Sequence, residues 1–184
     1  MEAPASTTLV VVGDEATSAI HALEGFANVR AASFSGASDF SGASDDEVAR
    51  WSATAAAPYV VHDRDPLGHV AAAWVEFFDD QSTFGVLELE IDRAMEAAER
   101  HAISVPDYYV VLHPETLPIT WKHWWLGVLA SESPTRVIPW PTGDDSLARL
   151  LRHLPTGRAW PDVESWLPRV VGAVPDRVGL PGSA

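Results

Sequence analysis

The sequence predicts an α/β fold: a three-layer sandwich with a mainly parallel, about five-stranded sheet and helices on both faces. Three observations point there. Short β-rich runs recur along the chain, separated by stretches with helical spacing. The clearest of these runs, Leu9-Val-Val-Val12 and Tyr108-Tyr-Val-Val-Leu112, are apolar throughout, as strands covered on both faces must be. Each of the better-defined runs gives way at its C-terminal end to charged or imidazole side chains, the edge where such sheets gather their sites.

The elements follow in order. Thr8 to Val12 reads as the first strand, closed by Gly13-Asp14-Glu15, and Asp14 or Thr17 can cap a helix over Ser18 to Phe26 with Ile20 and Leu23 inward. Asn28 to Phe34 is the second strand. Phe34-Ser-Gly-Ala-Ser-Asp39 then repeats as Phe40-Ser-Gly-Ala-Ser-Asp45, too short a unit for a solenoid and expected as a surface loop. Ser44 and Glu47 have capping-box spacing for a helix to about Thr54, with Val48 and Trp51 on its apolar side. Pro58 to Val61 is the third strand, followed by His62-Asp63-Arg64-Asp65.

Asp65-Pro66 opens either a helix carrying Val70, Trp74, Phe77 and Phe78 or a hairpin turning at Pro66-Leu67-Gly68. From Phe84 to Ala102, the stripe Leu87, Ile91, Ala94, Met95 and Ala98 predicts a long helix, although Val86 to Ile91 also alternates like a strand. Strand 108–112, helix 119–130 and strand 136–139 come next. A helix to His153 turns Leu147, Leu150, Leu151 and Leu154 inward, and a last short helix spans Pro161 to Val171. The reading is one domain, residues 1–172, with 173–184 as a flexible tail.

Composition excludes several chemistries. The chain has no cysteine, so disulfides, thiolate catalysis and zinc–thiolate sites are out. Residues 1–99 hold 18 acids against 4 bases, the whole of the net charge of −14, while 8 and 8 balance in the remainder. Such a field repels nucleic acid and anionic membranes. No secretory signal or membrane-length apolar run is visible, so the expected location is cytoplasmic. Phosphate-loop, dinucleotide-fingerprint, nucleophile-elbow and zincin motifs are all missing.

Two groups of residues remain as candidates. Parallel strands bring Asp14 and Glu15, His62 and Asp63, and His113 and Glu115 toward one edge, a candidate cleft. Carboxylate and imidazole donors there suit a divalent cation such as magnesium, with Asp14 and Asp63 as ligands; no other cofactor is implied. The second group is Trp121, Lys122, His123, Trp124, Trp125 and Trp140, an aromatic set expected either in the core, at an interface or around a ligand pocket.

Leu9 to Glu15, Asp63 after the third strand, Val137-Ile-Pro-Trp140-Pro141 and Asp144-Asp145 together resemble a response-regulator receiver domain, a flavodoxin-like fold. The resemblance implies that Asp14 and Glu15 stand for that family's acidic pair, Asp63 for its phospho-acceptor and Pro141 for the proline of its lysine–proline. Trp140 occupies the place of that lysine and His113 that of the hydroxyl residue ending strand four, so the implied switch is degenerate. Val110 to Pro141 also resembles the latter half of TIR-type domains, although the tryptophan helix lacks the glutamate that NAD cleavage there requires. The expected function is a non-catalytic interaction or regulatory domain, meeting a protein partner or a second copy through its tryptophan-rich half. The alternative is a divalent-cation-dependent enzyme or sensor acting on a nucleotide or phosphorylated small molecule.

Overall fold

β1 (Thr7–Val12) lies in the middle of a five-stranded sheet, between two strands that follow it far along the chain. The computed structural model describes residues 6–35, 42–142, 146–155 and 160–173. Its other strands are β2 (Val29–Ala32), β3 (Tyr59–His62), β4 (Tyr108–Leu112) and β5 (Val137–Trp140). The order is β2-β3-β1-β4-β5 and every pairing is parallel, with Leu9 opposite both Val61 and Tyr108. The expected α/β sandwich is therefore present, with five strands. Flavodoxin-like sheets of this doubly wound class, receivers included, run 2-1-3-4-5. Here β1 and β3 have exchanged places.

Chain direction explains the layering. Right-handed crossovers send the β1–β2 connection to one face and the three connections that step back the other way to the opposite face. The core divides accordingly. On one face α1 (Ala16–His21), the turn after it and α7 (Leu147–Leu151) bury Ile20, Leu23, Leu147 and Leu151 against Leu9, Val11 and Val110. On the other, α3 (Gly68–Phe78) and α4 (Phe84–Glu99) join the segment from α5 (Ile119–Lys122) to α6 (Ala130–Glu132) and α8 (Val163–Trp166) over Val10, Val12, Tyr109 and Val111. There α2 (Asp45–Ala53) covers the β2 edge through Val48 and Trp51.

A local signal marks the start of α2. Ser44 and Glu47 form the capping box, the serine hydroxyl accepting the Glu47 N–H and the Glu47 carboxylate accepting the Ser44 N–H at 2.7 Å. Residues 66–91 hold no hairpin: α3 and the start of α4 occupy them, joined by a turn at 79–83, and Asp65 accepts the Leu67 N–H at 2.9 Å just ahead of α3. The stripe Leu87, Ile91 and Ala94 buries α4, so burial on one helical side prevails over the strand-like alternation of Val86 to Ile91. The first helix is shorter than its sequence pattern, ending at His21 before turns that still bury Leu23.

The tryptophan helix departs from expectation. Between α5 and α6, His123–Leu129 winds as a π-helix, a geometry uncommon beyond a single turn and frequent near functional sites. After α8 the chain tightens into a 3-10 turn, Leu167–Gly172. Ala173 is still held, its carbonyl accepting the Trp74 indole N–H at 3.2 Å. The rest of the expected tail, residues 36–41 of the hexapeptide repeat and Asp144-Asp145 lie outside the described residues. No helix among the described residues is long and apolar enough to cross a membrane.

Candidate functional site

The connection leaving β1 goes to one face of the sheet and those leaving β3 and β4 go to the other. A crevice opens where neighbouring connections diverge, and in doubly wound sheets that is the usual ligand position. Gly13 starts the turn at φ +103°, and a Cβ there would stand 2.7 Å from the Leu112 carbonyl oxygen. Only glycine lets the turn pass so close to β4. Glu15 follows at φ 67°, and His113, just past β4, has φ 45°. Non-glycine residues in this region are uncommon and carry strain of order 1 kcal/mol or more, which surrounding contacts must hold in place.

Those contacts form a chain across three strand ends. His113 Nε2 lies 3.5 Å from a Glu15 carboxylate oxygen. His113 Nδ1 shares a hydrogen bond of 2.8 Å with the Thr142 hydroxyl, and the Thr142 N–H donates to Glu115 Oε1 at 2.7 Å. Hydrogen bonding from Thr142, side chain first, holds the Glu115 carboxyl down at about 2. Lys122 Nζ donates to the Glu115 carbonyl at 3.2 Å. Side chains thus tie the turns after β1, β4 and β5, beside the backbone bond from the His113 N–H to the Trp140 carbonyl at 2.9 Å.

On the β3 side, Asp63 is a clasp. Its Oδ1 accepts the Phe34 N–H at 2.6 Å, and its Oδ2 accepts the Ser33 and Thr17 hydroxyls at 2.5 and 3.3 Å. Three donors from the β2 exit and α1 converge on one carboxylate. Asp65 is different. Its Oδ1 accepts the Leu67 N–H and the Tyr109 hydroxyl, both at 2.9 Å. Its Oδ2 is buried without a partner, and the Trp125 indole N–H approaches Asp65 without reaching hydrogen-bonding geometry. Burial raises the Asp65 carboxyl above its ordinary range against these bonds, and burial with the adjacent Asp65 pushes Tyr109 well up.

The crevice so formed encloses about 360 Å³ between Glu15 and Thr17, Asp63 and Asp65, and the indoles of Trp121 and Trp125. Those two rings stack at 5.0 Å and 26°. Trp125 is buried and Trp121 half-buried, so the pair forms a rigid wall whose outer member faces the opening. Among the described residues, every ionisable side chain lining the crevice is acidic.

The residues singled out from sequence do not stay together. Glu15, His113 and Glu115 do meet at the strand ends, and Asp63 sits across the crevice from them. Asp14 is exposed in the turn and does not line the crevice. His62 pairs with Val10 in the ladder, so alternation turns its ring onto the α2 face, 5 % exposed between Phe34 and Trp51 and away from the edge. Trp124 is fully buried against Trp74, at 5.8 Å, and belongs to the core. His123 Nδ1 is buried without a partner, and Trp140 lines a groove of about 340 Å³ between α1 and α7.

Sequence reading missed Ser33, Thr17, Tyr109 and Thr142. Tyr109 could have been found: in an apolar strand that turns alternate residues to opposite faces, its hydroxyl needs a polar partner near the sheet edge. Among the described residues, no three carboxylate or imidazole side chains gather as a metal-binding group. Comparison of the chain with protein-family models, curated proteins and solved structures found no match.

Proposed function

We propose that the chain is a non-catalytic regulatory α/β domain, receiver-like in its layering, that binds a small organic cation in the crevice at the end of β1. The observation that carries this reading is the lining: three carboxylates and an indole wall, with no basic side chain among the described residues. An ammonium or guanidinium group gains from the face of a tryptophan, about 0.5–2 kcal/mol depending on desolvation, and from accessible carboxylate oxygens. The exposed Glu15 carboxylate on the crevice wall offers its oxygens. A phosphate group meets no positive charge there.

The same geometry argues against phosphoryl signalling. Asp63, at the place of the phospho-acceptor, has both oxygens engaged by Phe34, Ser33 and Thr17. Trp140 stands where receivers keep a lysine. Of the tryptophans expected to meet a partner, Trp124 and Trp125 lie in the core, which leaves Trp121 and Trp140 for any protein contact. The rival reading, a divalent-cation-dependent enzyme working on a nucleotide or phosphorylated compound, would use His113 at the same edge.

Thermal-shift titration separates these readings. Tyramine, agmatine and choline serve as cation probes, with magnesium·ATP and magnesium plus acetyl phosphate alongside. Saturable stabilisation by at least one ammonium or guanidinium probe, abolished in Trp121→Ala and weakened in Glu15→Gln, is the expected result. Stabilisation by magnesium·ATP or acetyl phosphate alone, or no shift with any cation at millimolar concentration, refutes the proposal.

A further inference from the structure

A second cavity, of about 290 Å³, lies on the α2 face of the sheet, away from the crevice described above. It runs between α2, the start of β1 and the chain that joins α4 to β4. Its walls carry an ion pair, a histidine, serine hydroxyls and an apolar strip including Val48 and Ile103.

Arg64 Nε donates to Asp45 Oδ1 at 2.8 Å, which fixes the guanidinium, and among the described residues its two terminal nitrogens have no hydrogen-bond partner. The Arg64 and Asp45 side chains are 37 % and 27 % exposed, so the pair is reachable from the cavity mouth. Deeper in, His62 is 5 % exposed with Nδ1 unpartnered, and Ser52 Oγ is buried and unpartnered. Burial also keeps His62 neutral, down at about 4. Unpaired buried polar atoms are rare in folded proteins and each calls for a partner. Two occur here on side chains that line one cavity.

The charges select the ligand. A plain anion drawn to Arg64 also meets Asp45, and a plain cation drawn to Asp45 also meets Arg64. A group that carries both charges a few atoms apart matches each with its opposite. The apolar strip then takes a hydrocarbon side chain, and the volume sits at the small end of ligand cavities, roughly 300–1,000 Å³. We infer that this cavity binds a free α-amino acid with an apolar side chain, its carboxylate on Arg64, its ammonium on Asp45 and its side chain against Val48 and Ile103.

Isothermal titration of the full chain with L-leucine, L-valine, L-methionine and L-phenylalanine tests this. At least one should bind saturably. Its amine and its carboxylic acid analogues, 3-methylbutylamine and 4-methylpentanoate for leucine, should each bind at least about tenfold more weakly. Arg64→Gln and Asp45→Asn, both at partly exposed positions, should each weaken the amino acid by a similar factor. Trp121→Ala, in the other crevice, should leave it unchanged, which keeps this result separable from the proposed cation site. Absence of binding by all four amino acids to the folded wild-type chain overturns the inference, as does binding that neither the analogues nor the two variants diminish.

Discussion

Replacing His62 with phenylalanine should remove much of this protein's sensitivity to mild acid. The imidazole is enclosed by Phe34 and Trp51, ring centroids at 5.9 and 6.2 Å, and its burial holds it neutral down to about pH 4. In the unfolded chain the same group takes a proton near 6.5. Between these values the unfolded state binds more protons than the native state, so stability falls as pH falls. The contribution is complete above about pH 6.5 and lost on descending toward 4. Over the whole window it amounts to about 3 kcal/mol, and between pH 7 and pH 5 to about 2 kcal/mol. Phenylalanine keeps the edge-to-face contacts and cannot charge. Urea unfolding followed by tryptophan fluorescence at pH 7, 6 and 5 reads the difference. The wild type should lose about 2 kcal/mol more than His62→Phe across that range, and every other titrating group cancels in the comparison. Parallel losses in the two proteins would show that the ring is solvated in the native state, and the reasoning would fall.

Two further perturbations follow from the strand ends. Gly13→Ala places a methyl group 2.7 Å from the Leu112 carbonyl oxygen at φ +103°; thermal unfolding should show a loss of about 2 kcal/mol or more, roughly 4–8 °C in Tm, and an unchanged Tm would deny the close approach of the β1 turn to β4. Asp63→Ala removes the acceptor shared by Phe34, Ser33 and Thr17, with an expected cost of about 1–3 kcal/mol; amide hydrogen exchange at Phe34 should accelerate while that of β4 keeps its place among the slowest, and protection at Phe34 equal to wild type would count against the clasp.

The layering was legible because it depends on local patterns. Leu9 to Val12 and Tyr108 to Leu112 are apolar enough to require cover on both faces, and the capping pair Ser44 and Glu47 marks α2 within one residue. Strand order was not legible, since nothing near Thr8 or Val60 encodes that β3 will separate β1 from β2. That exchange matters for the site: it places the β1 turn between the ends of β3 and β4, so Glu15 reaches His113 while Thr17 reaches Asp63. His62 and Asp63 looked like one unit in sequence, yet successive strand residues point to opposite sides, and only the aspartate serves the edge. The run of tryptophans carried a helical signal without revealing that its middle turn would widen. The left-handed backbone at Glu15 has no compositional mark, because glutamate does not favour it; His113 is of a type enriched there, but a lone histidine after a strand does not by itself signal that geometry.

The central position of β1 has a consequence for biosynthesis. β1 leaves the ribosome before the strands on either side of it, finding its β3 neighbour only when Tyr59 to His62 emerge and its β4 neighbour only after Leu112. At typical elongation rates of about 5–20 residues per second, β1 waits several seconds or more with one edge unclaimed. A nascent chain stalled before β4 therefore presents Leu-Val-Val-Val as an open, sticky ribbon, whereas one released after Leu112 can close the centre of the sheet at once.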